Sequence, residues 1–220
     1  MSESFRRQGF LYLLTSGQAF GFVIWGALLK NFAIEVIDVD GLENALLETV
    51  RELPGFLAFT TVFLLAYVSE QRLAVISTLV LGLGMALTGY SSSLTELLGA
   101  TFLMSVGFHY YQTVYKSLSL QWFDERTVPL VLGRAVSVSN AATILALALF
   151  MLLFWRADLS YATGYLIAGL MAILAGAVAW FGFPRFATQS EQRNQFVFRW
   201  RYGLYYVPVS YTHLTLPTKA

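Results

Sequence analysis

The sequence predicts an all-α membrane protein, a bundle of six transmembrane helices. Three observations carry that reading. Of 220 residues, 57% are hydrophobic and only 12% are charged, where a soluble domain carries about 25%, and mean hydropathy is +0.61. Six uncharged runs, 8–29, 53–69, 73–95, 97–115, 135–155 and 159–184, are long enough to cross about 30 Å of hydrocarbon or come close to it. Runs such as 73–90 and 161–183 are apolar or small nearly all round, so no polar stripe is left to face water. In lipid such spans are helices, because the backbone must satisfy its own hydrogen bonds. The chain has no cysteine and only two histidines, which excludes disulfides and thiol nucleophiles and argues against a zinc site. A net charge of +1 offers nothing to nucleic acid.

The first span covers about 9–30. Its apolar core exceeds the 7–15 residues of a cleavable signal. The second begins near Gly41, with Asp40 placed to cap it, and runs to about 68 with a kink at Pro54, whose ring removes one backbone hydrogen bond. The others cover about 73–90, 94–120, 130–155 and 160–183. Short links after the second, third and fifth spans predict antiparallel packing of those sequence neighbours. The longer link after the fourth carries Asp124, Glu125 and Arg126. Glycines in the third span (Gly82, Gly84, Gly89) and small residues in the sixth (Gly164, Gly169, Ala172, Gly176) mark close helix contacts. These serve either sliding during transport or ordinary packing in lipid.

Charge asymmetry sets the expected orientation. With the N-terminus inside, Arg6, Arg7, Arg72, Lys116, Arg126, Arg134, Arg185, Arg193, Arg199 and Arg201 fall inside and only Lys30, Arg51 and Arg156 outside, ten against three. Trp25, Trp122, Trp155 and Trp180 fall near predicted span ends, where interfacial anchors sit. The expected location is a bacterial inner (cell) membrane, multi-pass, with a cytoplasmic N-terminus.

The chain divides into a six-helix bundle at 1–183, a basic cytoplasmic linker at 184–197, the start of a seventh span at 198–207 and a polar tail at 208–220. Ten consecutive residues of that tail, 209–218, read as one frame of a transposase sequencing adapter. The native portion is therefore expected to end at Val207. Without Lys219 the chain has 13 basic and 13 acidic residues, and without His213 one histidine.

Polar groups inside the spans are the functional candidates, since lipid makes them costly. In the fourth span Ser105, His109, Gln112, Lys116 and Ser119 recur at spacings of four, three, four and three, an arc of roughly 80° at 100° per residue. His109 suits proton exchange near neutral pH, Gln112 a hydrogen bond to a solute and Lys116 attraction of an anion. The alternative is that the first two bond neighbouring helices while Lys116 snorkels to the interface. In the second span Arg51 and Glu52 sit beside Pro54. They form either a proton-coupling site or an interfacial pair such as Glu48 with Arg51. The fifth span offers Arg134, Ser137, Asn140 and Thr143, and the first Thr15, Gln18, Phe22 and Trp25. Strongly polar interior groups thus occupy spans one, two, four and five, and only small hydroxyls occupy three and six.

That division, with Arg51-Glu-Leu-Pro-Gly-Phe56, Gly107-Phe-His-Tyr-Tyr-Gln112 and Leu132-Gly-Arg134, resembles the N-terminal half of a major facilitator superfamily transporter over about 1–207. The resemblance implies that spans one, two, four and five shape a central pathway, and that a C-terminal six-helix half is missing. The family pattern Gly-x-x-x-Asp-Arg-x-Gly-Arg appears here as Ala66-Tyr-Val-Ser-Glu-Gln-Arg72, which keeps Glu70 and Arg72 as gating candidates without the glycines. The Gly/Pro-rich motif of the family's antiporters is absent from 135–150. The function implied is secondary transport of a small solute by alternating access. Gln18, Arg51, Glu52, His109, Gln112, Lys116 and Asn140 are the pathway candidates. No cofactor or metal is expected. The partners expected are the solute, the bilayer, the other half and protons. The competing readings are a membrane scaffold or sensor, and an intramembrane enzyme with His109 as base. The latter lacks an evident nucleophile or paired carboxylate.

Overall fold

The architecture comes from a computed structural model, which describes residues 2–157 and 159–187, the side chains of Trp155 and Ala157 excepted. The rest of the expected linker, the seventh-span start at 198–207 and the tail at 208–220 lie outside the described residues. Among the described residues seven α-helices run in order: α1 (Glu3–Glu35), α2 (Gly41–Leu57), α3 (Thr61–Leu64), α4 (Glu70–Thr88), α5 (Leu94–Trp122), α6 (Val128–Ala157) and α7 (Tyr161–Gly182). The described residues contain no strand.

Six spans become seven helices because the second span is broken. At 17 residues, α2 reaches only about 26 Å, and a 3-10 turn (Ala58–Thr60) and α3 complete it. The helix passes through Pro54 and breaks after Leu57, beyond the expected kink. There the Thr60 and Thr61 hydroxyls donate to the carbonyls of Leu57 (2.6 Å) and Ala58 (2.5 Å), local bonds that compete with helical pairing. At the other end Asp40 Oδ1 accepts from Glu43 N (2.8 Å) while Glu43 Oε2 accepts from Asp40 N (3.0 Å). This is a reciprocal capping box. Asp40→Ala should cost about 1 kcal/mol. Faster amide exchange at 41–44 in the variant would register it, and unchanged exchange would discount the cap. Asp38 just before it takes a left-handed backbone (φ 62°), a conformation Asp tolerates better than most residues.

Among the described residues, four helices are long and apolar enough by themselves to cross a membrane: α1, α4, α7 and Val128–Phe154 of α6. The 29 residues of α5 span about 44 Å, but its polar groups dilute its hydropathy. Large apolar side chains point out of the bundle, among them Ile144, Met151, Leu174 and Phe181. Such a belt belongs against lipid. The protein is an integral membrane protein.

Helix partners depart from sequence order. α4 packs on α5, as short links predict. However, α2 packs on α5 rather than α4, and α7 packs chiefly on α4 and α1. Small residues choose these partners, because without a hydrophobic drive in lipid, association rests on close backbone approach. A Cβ on Gly82 would lie 2.7 Å from the Gly169 carbonyl oxygen, so α4 and α7 meet glycine to glycine. A Cβ on Gly21 would collide with the Ala168 carbonyl oxygen, which brings α1 equally close to α7.

Two hydroxyls of α4 tie it to α1. Thr78 donates to Ala74 O (2.9 Å) and accepts from Gln18 Nε2 (2.7 Å). Thr88 donates to Gly84 O (2.9 Å) and accepts from Trp25 Nε1 (3.0 Å). Trp25 is therefore a core residue, 1% exposed, and not the expected interfacial anchor. Trp122, 3% exposed, is likewise interior, held edge-on to Phe10 and Phe186 at 5.6 and 5.1 Å. Each is drawn inward by a packing partner close to the span end. Trp180 remains exposed.

Candidate functional site

The bundle is not solid. A cavity of about 660 Å³ opens between α1, α5 and α6. From α1 come Thr15, Gln18 and Phe22, from α5 Phe108, Tyr111 and Gln112, and from α6 Ser139, Thr143 and Leu147. The α1 and α6 sets repeat at three to four residues, so each helix turns one face inward. Thr15 and Tyr111 hydroxyls bond each other across α1 and α5 at 2.8 Å. Gln18 is buried, 4% exposed. Because the Thr78 hydrogen is committed to Ala74, its oxygen can only accept from the Gln18 amide nitrogen. That leaves Gln18 Oε1 as a buried acceptor without a partner among the described residues.

A second, smaller cavity of about 150 Å³ lies between α2 and α5 and is lined by Arg51, Glu52, Ser105 and His109 with Phe22, Met104 and Phe108. The Arg51 guanidinium pairs with Glu48 at 2.7 Å and Glu52 at 3.1 Å. Ser105 donates to the Arg51 carbonyl, pinning α2 to α5. The His109 ring packs on Gly55, where a Cβ would lie 3.0 Å from it. A larger residue at 55 would push that ring away from α2. Phe22 and Phe108 stack at 5.0 Å and 21°, and both line both cavities. This aromatic pair is the wall between them.

The expected pathway residues thus fall into three groups. Gln18 and Gln112 meet at the larger cavity, and Arg51, Glu52 and His109 at the smaller. Lys116 and Asn140 are exposed and line neither. The α5 stripe is split because α2 and α6 contact different parts of it. On α6 the cavity is lined at 139, 143 and 147: of the expected Arg134, Ser137, Asn140 and Thr143, Thr143 lines it and the other three are exposed outside it. Tyr111, Ser139 and Phe108 line the cavity without a sequence signal as pathway residues, since nothing in a lone aromatic or serine announces a cavity.

At the end of the bundle bearing the N-terminus, Glu70 is buried, 4% exposed, and its Oε1 accepts from Ser117 (2.9 Å). Arg72 is not paired with it among the described residues; it borders a cleft with Trp180, Phe183 and Arg185. Gln71, between them, does the tethering. It donates to Pro184 O (2.8 Å) and accepts from Phe186 N (2.9 Å). Arg7, 6% exposed, donates to Trp122 O (3.2 Å) and Ala187 O (2.9 Å), and pairs with Glu3 at 2.5 Å. The chain leaving α7 is therefore strapped across the ends of α1, α4 and α5. In the link before α6, Asp124 Oδ1 accepts from Thr127 N (2.7 Å). The Thr127 side chain first, and then its backbone N–H, hold the Asp124 carboxyl below the usual range.

No family model and no curated protein matches the sequence. Solved structures do match, among them the crystal structure of an auto-inhibited POT family peptide transporter. The TM-score is 0.60 at 18% identity, over 85% of this chain and 39% of that one. The chain shares the all-helical fold of part of that structure, and it spans about two fifths of the solved transporter's length.

Proposed function

We propose that the chain is one half of a secondary transporter of a small solute, working by alternating access against a second six-helix half, with its N-terminus in the cytoplasm. The observation that supports this most is the cavity of about 660 Å³ on α1, α5 and α6. A scaffold or sensor needs no such space at its centre, whereas a rocking pair of halves needs a solute site where they meet. In this reading the larger cavity receives the solute. Glu52 and His109, gathered at the smaller one, take up and release the coupling proton, with Arg51 holding the Glu52 carboxylate. Intramembrane titratable groups grouped in this way are expected of proton relays.

The test is uptake into proteoliposomes by the chain joined to its downstream reading frame. Accumulation of a solute down an imposed pH gradient supports the proposal; a protein that moves no solute of a broad panel leaves the scaffold or sensor reading. Glu52→Gln and His109→Ala should each lower gradient-driven uptake by about tenfold, equivalent to about 1.4 kcal/mol, while sparing solute exchange without a gradient. Undiminished pH-driven uptake in both variants would remove the pair from the mechanism.

A further inference from the structure

We infer that the solute is uncharged, donates an N–H or O–H to Gln18, and lays an apolar or aromatic face on Phe22 and Phe108; this rests on the transporter reading above. Three observations carry it. The larger cavity is lined by hydroxyls, amides and apolar groups, with no Asp, Glu, Lys, Arg or His among its lining residues. A charged solute would leave water there and find no opposite charge among these lining residues, which makes entry costly. Secondly, Gln18 Oε1 is a buried acceptor left over from the α1–α4 contact. A buried acceptor gains most from a donor and most strongly rejects a ligand lacking one. Thirdly, Phe22 and Phe108 stack between this cavity and the titratable one. They separate the solute from Arg51 and Glu52 and offer it an aromatic surface.

The separation distinguishes two roles that the sequence alone merges. The charged groups of α2 and the histidine of α5 belong to a smaller compartment, about 150 Å³, room for a few waters or a group no larger than about a benzene ring. The cavity large enough for a solute is neutral on this side.

A charge series on one scaffold tests the inference in the purified chain in lipid nanodiscs: N-acetyl-tryptophanamide (neutral), N-acetyltryptophan (anion) and tryptophanamide (cation). Binding is measured by equilibrium dialysis at about pH 6, where α-amino groups are protonated and α-carboxyls ionised, with empty nanodiscs as the blank. Two variants accompany it. Gly26→Phe plugs the cavity, which Gly26 lines at a point where an added Cβ meets nothing within 4 Å, so the fold tolerates it. Gln112→Glu introduces one negative charge on the cavity wall. The expected result is saturable binding of the neutral probe, at least about tenfold weaker binding of both ions, loss of binding in Gly26→Phe, and a shift toward the cation in Gln112→Glu. Equal binding of either ion, still blocked by Gly26→Phe, overturns the neutral solute and leaves the cavity as a solute site. Binding that Gly26→Phe does not block, or no saturable binding of any probe, overturns the inference. If gradient-driven uptake nevertheless persists in Gly26→Phe of the joined protein, the transporter reading survives with its site elsewhere; if uptake is absent from the unmodified protein, that reading fails on its own test.

Discussion

Gly107→Val is expected to cost about 3 kcal/mol of bundle stability, the upper part of the usual range for overpacking. Gly107 lies where α5 rests on α4, and a Cβ there would lie 2.5 Å from Ser77 O and collide with Leu81 N. Both obstacles are backbone, so no rotamer change relieves them. The helices must move apart, and that motion would loosen Gly84 from Met104 on the same interface, where a Cβ on Gly84 would strike the Met104 backbone. In lipid the loss is direct, since these helices are held by packing and not by exclusion of water. Gly99→Val is the matched control: it lies on the same helix, with nothing within 4 Å of its added Cβ, and should change stability by no more than about 0.5 kcal/mol. Unfolding by SDS from mild-detergent micelles, followed by far-UV circular dichroism, compares the two. Equal stability of the Gly107 variant and the unmodified chain would mean that α4 and α5 do not meet through this glycine.

Arg7→Ala is expected to cost about 2 to 4 kcal/mol, the range for removing a buried charged hydrogen-bonding group. Its guanidinium joins three elements: it donates to the last carbonyl of α5 at Trp122 and to Ala187 beyond α7, and pairs with Glu3 on its own helix. It also lies over the Trp122 and Phe186 rings at 5.9 and 5.8 Å, where a cation is attracted by the aromatic faces. Its charge meets the negative end of the α5 dipole. Truncation leaves those carbonyls unpaired and releases the strap after α7. Trypsin cleavage after the exposed Arg185 should accelerate as the segment detaches, a readout that uniform destabilisation of α1 would not favour at this one site. Arg7→Lys should recover the charge near the dipole but not the forked contacts, and so land between the two. Cleavage at an unchanged rate in Arg7→Ala would leave Gln71, which holds Pro184 and Phe186 from α4, as the sufficient tether.

Glu52 and His109 show how far a linear reading reaches. Both are legible as intramembrane titratable groups, and they do share a cavity. Their separation from the solute cavity is not legible, because it depends on two phenylalanines, at 22 and 108, that stack only once α1 and α5 are side by side. Gln18 is legible as polar, but its role divides: its amide nitrogen holds α4 while its oxygen is buried without a partner among the described residues. Asn140 and Lys116 have the same polarity and lie exposed outside both cavities.

The sequence by itself determined the solvent and the elements. Charge scarcity and uncharged runs dictate lipid, and lipid dictates helices, whatever their neighbours. Asp40 with Glu43 sets the start of α2 by contacts within four residues. Tertiary structure alone decided which helices are partners, where the second span breaks and which face of α6 lines the cavity. Those choices depend on the approach of backbones at Gly21, Gly82, Gly107 and Gly169. A glycine shows only that a neighbour could come close; which one does is settled by the shape of both surfaces together, and the cavity is the space that this fit leaves over.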